Sequence, residues 1–230
     1  MLRFLNPNSA LMLLAVLFVS SNSLADPMYY TQYSGYSSAN TYPFSSTNGQ
    51  TVEWLFQPGD FSQPISITGL NQINAIYFFM IDGSTQTYTD LTIKMAQADI
   101  TTLPDQFYSG TFETVYSSSS AILTGTNNSW LKITLDNLFT YDPTKSLIVS
   151  VEQDGTTASS SVMSIQQYYL SGNRRSYSYK GSPDCYNNSD SCIATFGIDI
   201  GAPVVPVPGA VLLGSLGLSL AGIRLRRKKI

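Results

Sequence analysis

The chain has 230 residues, of which 43% are hydrophobic and only 12% charged. It contains no histidine, which excludes Ser-His-Asp and Cys-His nucleophiles, HExxH zinc sites and imidazole acid–base catalysis. The net charge of −3 is unevenly distributed, because the segment from Asp26 to Pro203 contains all fifteen acidic residues but only six of the twelve basic ones. This segment therefore carries about nine excess negative charges, which repel phosphate backbones and argue against nucleic-acid binding.

The N-terminus has the pattern of a secretory signal peptide. Arg3 precedes an apolar stretch, Ala10 to Val19, and small side chains follow at Ser23 and Ala25. This order of basic, apolar and small residues is what signal peptidase recognises, and it predicts cleavage between Ala25 and Asp26. We therefore expect export through the Sec pathway and removal of residues 1–25.

Period-two alternation dominates residues 26–203, a length typical of one domain. Five alternating runs predict strands with one buried and one solvated face, and Ile73 to Ile81, which is apolar almost throughout, predicts a strand covered on both faces. The alternating runs contain Val52, Trp54 and Phe56; Leu91, Ile93 and Met95; Leu131, Ile133 and Leu135; Leu147, Val149 and Val151; and Ala194, Phe196, Ile198 and Ile200.

Turn residues separate these runs, and further strands are predicted at Phe112 to Tyr116, Val162 to Leu170 and Arg174 to Lys180. The serine runs Ser117 to Ser120 and Ser159 to Ser161 predict loops. Thr31 to Ser46 predicts an N-terminal arm or edge strand, since it contains bulky side chains that we expect to be buried. Roughly nine strands without a helix predict an all-β, antiparallel sandwich with the jelly roll as the favoured topology.

The order of several motifs resembles jelly-roll modules of secreted bacterial surface and adhesin-like proteins. It begins with N-T-Y-P-F at Asn40 and E-W-L-F at Glu53 and ends with S-L-I-V-S-V-E at Ser146. The resemblance covers about Tyr30 to Glu152. It implies a fold but no catalytic motif.

The only cysteines, Cys185 and Cys192, flank a polar loop. In an oxidising compartment such an even pair predicts a disulfide, and closing so short a loop stabilises by about 2 to 3 kcal/mol. A metal or redox pair is the alternative, but it would require closer spacing and further ligands.

Carboxylate chemistry and sugar binding are the remaining possibilities. The three glutamates, Glu53, Glu113 and Glu152, are candidates for a glycoside hydrolase or lyase, although alternation places each on a solvated strand face. Calcium could be bound by aspartates such as Asp82, Asp90 and Asp99, but the D-x-D-x-D-G pattern is absent. Eight tyrosines could stack on sugars or serve as ordinary packing residues: Tyr29, Tyr30, Tyr33, Tyr36, Tyr168, Tyr169, Tyr177 and Tyr179. We predict no catalytic residue, metal or cofactor.

Residues 204–230 combine three elements. Val205, Pro206, Val207 and Pro208 predict an extended segment, because proline fixes φ and lacks an N–H group. The apolar stretch from Gly209 to Ile223 predicts a transmembrane helix of roughly 22 Å, short for a hydrocarbon core of about 30 Å. Five cations then hold this end in the cytoplasm: Arg224, Arg226, Arg227, Lys228 and Lys229.

This tail resembles the PEP-CTERM sorting signal, with Val207 in place of the glutamate of the usual V-P-E-P motif. The resemblance implies a Gram-negative bacterium and a temporary tether in the inner membrane. It also implies processing by an exosortase before the protein reaches the cell surface or matrix. We therefore expect signal peptidase, exosortase, the inner membrane and exopolysaccharide as partners. The predicted role is non-enzymatic adhesion or biofilm formation, with a lectin-like domain as the alternative and a hydrolase or lyase as a third.

Overall fold

The computed structural model describes residues 26–44, 47–62, 65, 71–157, 163–180 and 188–201. The predicted signal peptide, sorting signal, membrane helix and basic tail lie outside these residues, as do Cys185 and Ser159 to Ser161. Within the described ranges the regular structure is entirely β, so no helix there has the length and apolarity needed to cross a membrane.

Thirteen strands are described, more than the roughly nine predicted, because short edge strands accompany the long ones. Their bounds are as follows: β1 Tyr29–Tyr30, β2 Ser37–Asn40, β3 Gln50–Phe56, β4 Gln72–Asp82, β5 Thr85–Ala98, β6 Glu113–Thr124, β7 Ser129–Thr140, β8 Ser146–Gln153, β9 Ser164–Tyr169, β10 Arg175–Tyr179, β11 Asn188–Asp190, β12 Cys192–Ala194 and β13 Phe196–Gly201.

The strands form two antiparallel sheets that pack face to face. One sheet has the order β1-β13-β4-β9-β12, with β2 added to β9 and β7 added to β4, and the other has the order β11-β10-β3-β8-β5-β6. The pairing is nested, since β2 pairs with β9, β3 with β8, β4 with β7 and β5 with β6, and successive pairs alternate between the sheets. The predicted β-sandwich is therefore confirmed.

Aromatic side chains fill the space between the sheets. Phe78 on β4 contacts Trp54 on β3 and Phe196 on β13, with ring centroids 5.7 and 5.4 Å apart. Phe196 also stacks on Phe56 at 4.5 Å. All four side chains are at most 1% exposed. The inward positions predicted from alternation thus form the core, and β4 lies in the middle of its sheet as its apolar sequence predicted.

The loop predicted for Ser117 to Ser120 is wrong. These serines lie in the middle of β6, where Ser117 pairs with Thr92 and Ser120 with Thr89 of β5. Ser118 likewise pairs with Leu91, and this pairing with β5 outweighs the weak strand preference of serine. The prediction for Thr31 to Ser46 is closer, because this segment contains edge strand β2 and the buried Phe44.

The predicted disulfide has no support in the structure. Cys192 on β12 is a buried free thiol, and Cys185 lies outside the described residues. Burial raises the pKa of the Cys192 thiol to about 11, so the side chain behaves as a small apolar group rather than as a nucleophile.

Two consecutive buried arginines connect the start of β10 to its surroundings. Arg174 donates to the carbonyl of Leu55 and to the carboxylate of Asp60. Arg175 points the other way: its Nε donates to Asp190 at 3.1 Å and its Nη1 to Gln167 at 3.0 Å. Because Gln167 belongs to the opposite sheet, Arg175 ties the two sheets together at this edge.

Replacing Arg175 by alanine is expected to lower the free energy of unfolding by about 3 kcal/mol or more, because Asp190 and Gln167 lose their partner at a partly buried site. Lys145→Ala is the control, since Lys145 and Asp99 form a surface pair 3.9 Å apart. That change should stay within about 0.5 kcal/mol. Urea unfolding followed by circular dichroism measures both, and equal losses would contradict the role given to Arg175.

Candidate functional site

The N-terminal arm, residues 26–44, runs along the edge of the seven-stranded sheet. Its strand β1 pairs with β13. Beyond β1, the Thr31 N–H donates to the carbonyl of Phe196 at 2.8 Å, and the Phe196 N–H donates to Thr31 Oγ1 at 2.9 Å. At the arm's start, Pro27 lies against Gly197, where an added Cβ would be 2.5 Å from the proline ring. The arm is therefore held tightly against β13.

A cleft of about 300 Å³, here called the arm cleft, lies between the arm and the outer face of this sheet. Its sheet residues alternate with inward-facing core residues: Phe79 follows Phe78, and Trp130 precedes Leu131. Their side chains therefore point to the outer face. The volume is at the lower end of the range typical of small-molecule sites.

Aromatic rings form two groups in the arm cleft. Trp130 is the centre of the first group, with Tyr30 at 5.9 Å and Phe79 at 5.2 Å between ring centroids. Tyr33 and Tyr168 form the second group, with centroids 5.6 Å apart. All five line the cleft. Trp130 is partly exposed and Tyr30 is 37% exposed, so flat ring surface is available to a ligand.

Polar groups also line the arm cleft. Thr195 donates through its hydroxyl to the side-chain oxygen of Gln166 at 3.0 Å, which fixes the orientation of that amide. Gln32 and Asp26 contribute an exposed amide and an exposed carboxylate from the arm. The arm cleft therefore offers hydrogen-bond donors and acceptors beside apolar rings, an arrangement that orients a ligand with both kinds of surface.

The structure separates the eight candidate tyrosines. Tyr30, Tyr33 and Tyr168 line the arm cleft, and Tyr29 packs against the core. The remaining four lie elsewhere: Tyr36 stacks on Tyr169 at 6.2 Å, and Tyr177 and Tyr179 surround Tyr42.

Trp130 and Phe79 were missed as site residues by the sequence reasoning. Trp130 could have been found, because the alternation that buries Leu131 leaves its preceding aromatic residue on the outer face. Phe79 could not, since it lies inside an apolar run with no visible alternation.

The three glutamates do not form a shared site. Glu113 is exposed at the start of β6. Glu152 pairs with Lys180 at 2.8 Å and with Lys94 at 3.0 Å, and hydrogen bonding to Lys180 and Lys94 holds its pKa below the usual value. The arm cleft contains no glutamate. Among the described residues, no group of three Cys, Asp or Glu side chains is arranged to bind a metal ion.

The solvated position predicted for Glu53 is wrong, because this side chain is only 4% exposed. Residues 99–112 cover the outer face of the six-stranded sheet, where Leu103 packs against Leu55. Under this cover the Tyr108 N–H donates to Glu53 Oε2 at 2.9 Å. Burial nevertheless raises the pKa of Glu53 to about 7.

Comparison of the chain with protein-family models, with curated proteins and with solved structures gives no significant match.

The raised pKa of Glu53 makes the stability depend on pH. The pKa of Glu53 rises from 4.5 to about 7 on folding, so the folded state binds this proton more tightly than the unfolded state. The stabilisation that the proton provides is fully present below pH 4.5 and is lost as the pH rises to 7. Relative to Glu53→Gln, the wild-type chain should lose up to about 3 kcal/mol over this window. Urea unfolding between pH 4.5 and 8 measures the difference.

The control for this experiment is Glu113→Gln, an exposed substitution expected to change the free energy of unfolding by no more than about 0.5 kcal/mol. A difference between Glu53→Gln and the wild-type chain that is constant across the pH range would contradict the buried position of Glu53.

Proposed function

We propose that this protein is an exported, non-enzymatic surface protein whose β-sandwich binds a neutral glycan in the arm cleft. The observation that carries the proposal is the pairing of exposed aromatic rings, chiefly Trp130 and Tyr30, with the amides of Gln32 and Gln166. A sugar presents an apolar face of C–H groups and a rim of hydroxyls. The rings match the apolar face and the amides match the hydroxyls.

Charge favours a neutral glycan over an acidic one. Cleavage before Asp26 would place an ammonium group beside the Asp26 carboxylate, so this residue adds no net charge to the arm cleft, and the nearby Lys132 is paired with Asp199 at 3.2 Å. The surrounding domain has fifteen acidic and six basic residues. A uronic acid or a sulfated sugar would therefore meet a repulsive field, whereas a neutral hexose or an N-acetylated sugar would not.

We also propose the jelly-roll topology. Its support is the nested pairing of β2 to β9, β3 to β8, β4 to β7 and β5 to β6, with alternate pairs in opposite sheets. This wrapped arrangement occurs in lectin domains among others, so it is compatible with sugar binding but does not require it.

The export part of the proposal rests on the chain's two ends. Signal peptidase would cut between Ala25 and Asp26, and Gly209 to Ile223 would tether the protein in the inner membrane until an exosortase-type enzyme acts at Val205 to Pro208. The released domain would then bind exopolysaccharide at the surface or in the matrix of a Gram-negative bacterium, which accounts for adhesion without catalysis.

Glycan binding can be tested on an array of neutral and acidic polysaccharides with the full-length chain in a detergent that lacks a sugar headgroup. We expect binding to neutral glycans, weakened about tenfold or more by Trp130→Ala, because the stacking surface is lost. Tyr36→Ala is the matched control, since Tyr36 is 77% exposed but lies outside the arm cleft. Equal effects of the two variants, or silence across the array, would contradict the proposal.

Sorting can be tested by deleting Val205 to Ile230 and fractionating cells that contain an exosortase. We expect the shortened protein to leave the inner-membrane fraction and to lose the exosortase-dependent change in mass. Replacing only Pro206 and Pro208 by alanine should keep membrane retention but prevent processing, because the extended segment is lost. Unchanged retention and processing of the deletion variant would refute the sorting role.

A further inference from the structure

A second cleft, of about 470 Å³, lies beside the arm cleft and is here called the loop cleft. Its walls come from the arm residues Gln32, Tyr33 and Ser34 and from residues 59–62, which follow β3. The same Gln32 and Tyr33 also line the arm cleft. The two clefts therefore meet at these residues.

The wall between the clefts is fixed by backbone pairing. Thr31 forms an isolated antiparallel bridge with Phe61, and the Ser62 N–H donates to the carbonyl of Tyr30 at 2.8 Å. Phe61 is 7% exposed and belongs to the main core. The loop that forms the far side of the loop cleft is thus attached to the arm, so that both clefts keep their positions relative to Tyr33.

Tyr33 presents its ring rather than its hydroxyl at this junction. The phenolic oxygen is buried, whereas the residue as a whole is partly exposed and its ring is tilted by 56° against that of Tyr168. Burial raises the pKa of this phenol well above its ordinary value, so it stays neutral. The exposed part of Tyr33 is therefore an apolar surface at the junction of the aromatic arm cleft and the polar loop cleft.

The loop cleft is polar and carries little unbalanced charge. Asp60 accepts the Gln57 N–H at 2.6 Å and pairs with Arg174, whose side chain is 4% exposed. Ser34 and Ser62 add hydroxyl groups that can donate and accept hydrogen bonds. A neutral, hydroxyl-rich ligand can exchange hydrogen bonds here without leaving a buried charge unpaired.

We infer that the two clefts form one extended site for a neutral oligosaccharide, which crosses from one cleft to the other over the ring of Tyr33. This inference rests on the proposed function and adds to it a preference for chain length. Short sugars occupy the arm cleft alone, whereas longer chains also occupy the loop cleft. Contacts from the second cleft are made without a second cost in translational freedom, so affinity rises with length.

Calorimetric titration of the full-length chain, in a detergent without a sugar headgroup, tests the inference. The probes are cello-, laminari- and chito-oligosaccharides of two to six sugar units. We expect at least about tenfold higher affinity for the hexasaccharide than for the disaccharide of the series that binds. Equal affinities for the two lengths would overturn the inference.

Two variants that fill the loop cleft make the test specific. Gly59→Trp adds bulk where no atom lies within 4 Å of an added Cβ, and Ser34→Trp adds bulk from an exposed arm residue that lines the same cleft. Each should reduce the hexasaccharide affinity to the disaccharide value. Ser119→Trp, exposed on β6 of the other sheet, is the matched control and should bind both lengths as the wild-type chain does.

The outcomes separate this inference from the proposed function. A hexasaccharide preference that Gly59→Trp and Ser34→Trp both abolish supports the extended site. A preference that survives in both variants, with their thermal unfolding unchanged, overturns the extended site but leaves glycan binding in the arm cleft intact. Failure of every probe to bind overturns both.

Discussion

The sandwich depends on the aromatic rings that meet between its sheets. Phe78 contacts Trp54, Phe196 and Phe44, and therefore links β3, β4, β13 and the end of the arm in one cluster. Only 12% of the residues are charged and the acidic excess repels itself, so burial of apolar surface supplies most of the stability. The same cluster positions the candidate site, because Phe44 anchors the arm whose earlier residues line both clefts.

Alternation predicted the strands well because the buried face of a strand consists of every second residue, so the pattern is local in the sequence. It could not predict what covers the other face. Glu53 alternates with Val52 and Trp54 as a solvated residue would, yet a segment some fifty residues later in the chain packs over it and Tyr108 donates to it. The loop prediction for the serine run in β6 was wrong for a related reason, since pairing with β5 imposes the strand conformation there. Both errors come from contacts between residues far apart in sequence.

The candidate site was only partly predictable for the same reason. Tyrosine content suggested sugar stacking and included Tyr30, Tyr33 and Tyr168, but nothing local distinguishes these three from Tyr177 and Tyr179 in the opposite sheet. Pairing of the arm with β13 decides which rings meet. The ion pair of the buried Arg174 could not be predicted either, because its partner Asp60 lies 114 residues away in the sequence. The sequence pattern thus predicts the residue types of the site, and the topology selects its members.

The absence of a side chain at Gly197 lets the arm lie close to β13. Pro27 occupies the space that a Cβ would need, so the height of the arm above β13 is set at a position that is not among the residues lining the arm cleft. Depth and ligand contacts are therefore controlled by different residues. A change at Gly197 or Pro27 alone would alter the depth of the arm cleft while leaving its rings and amides in place.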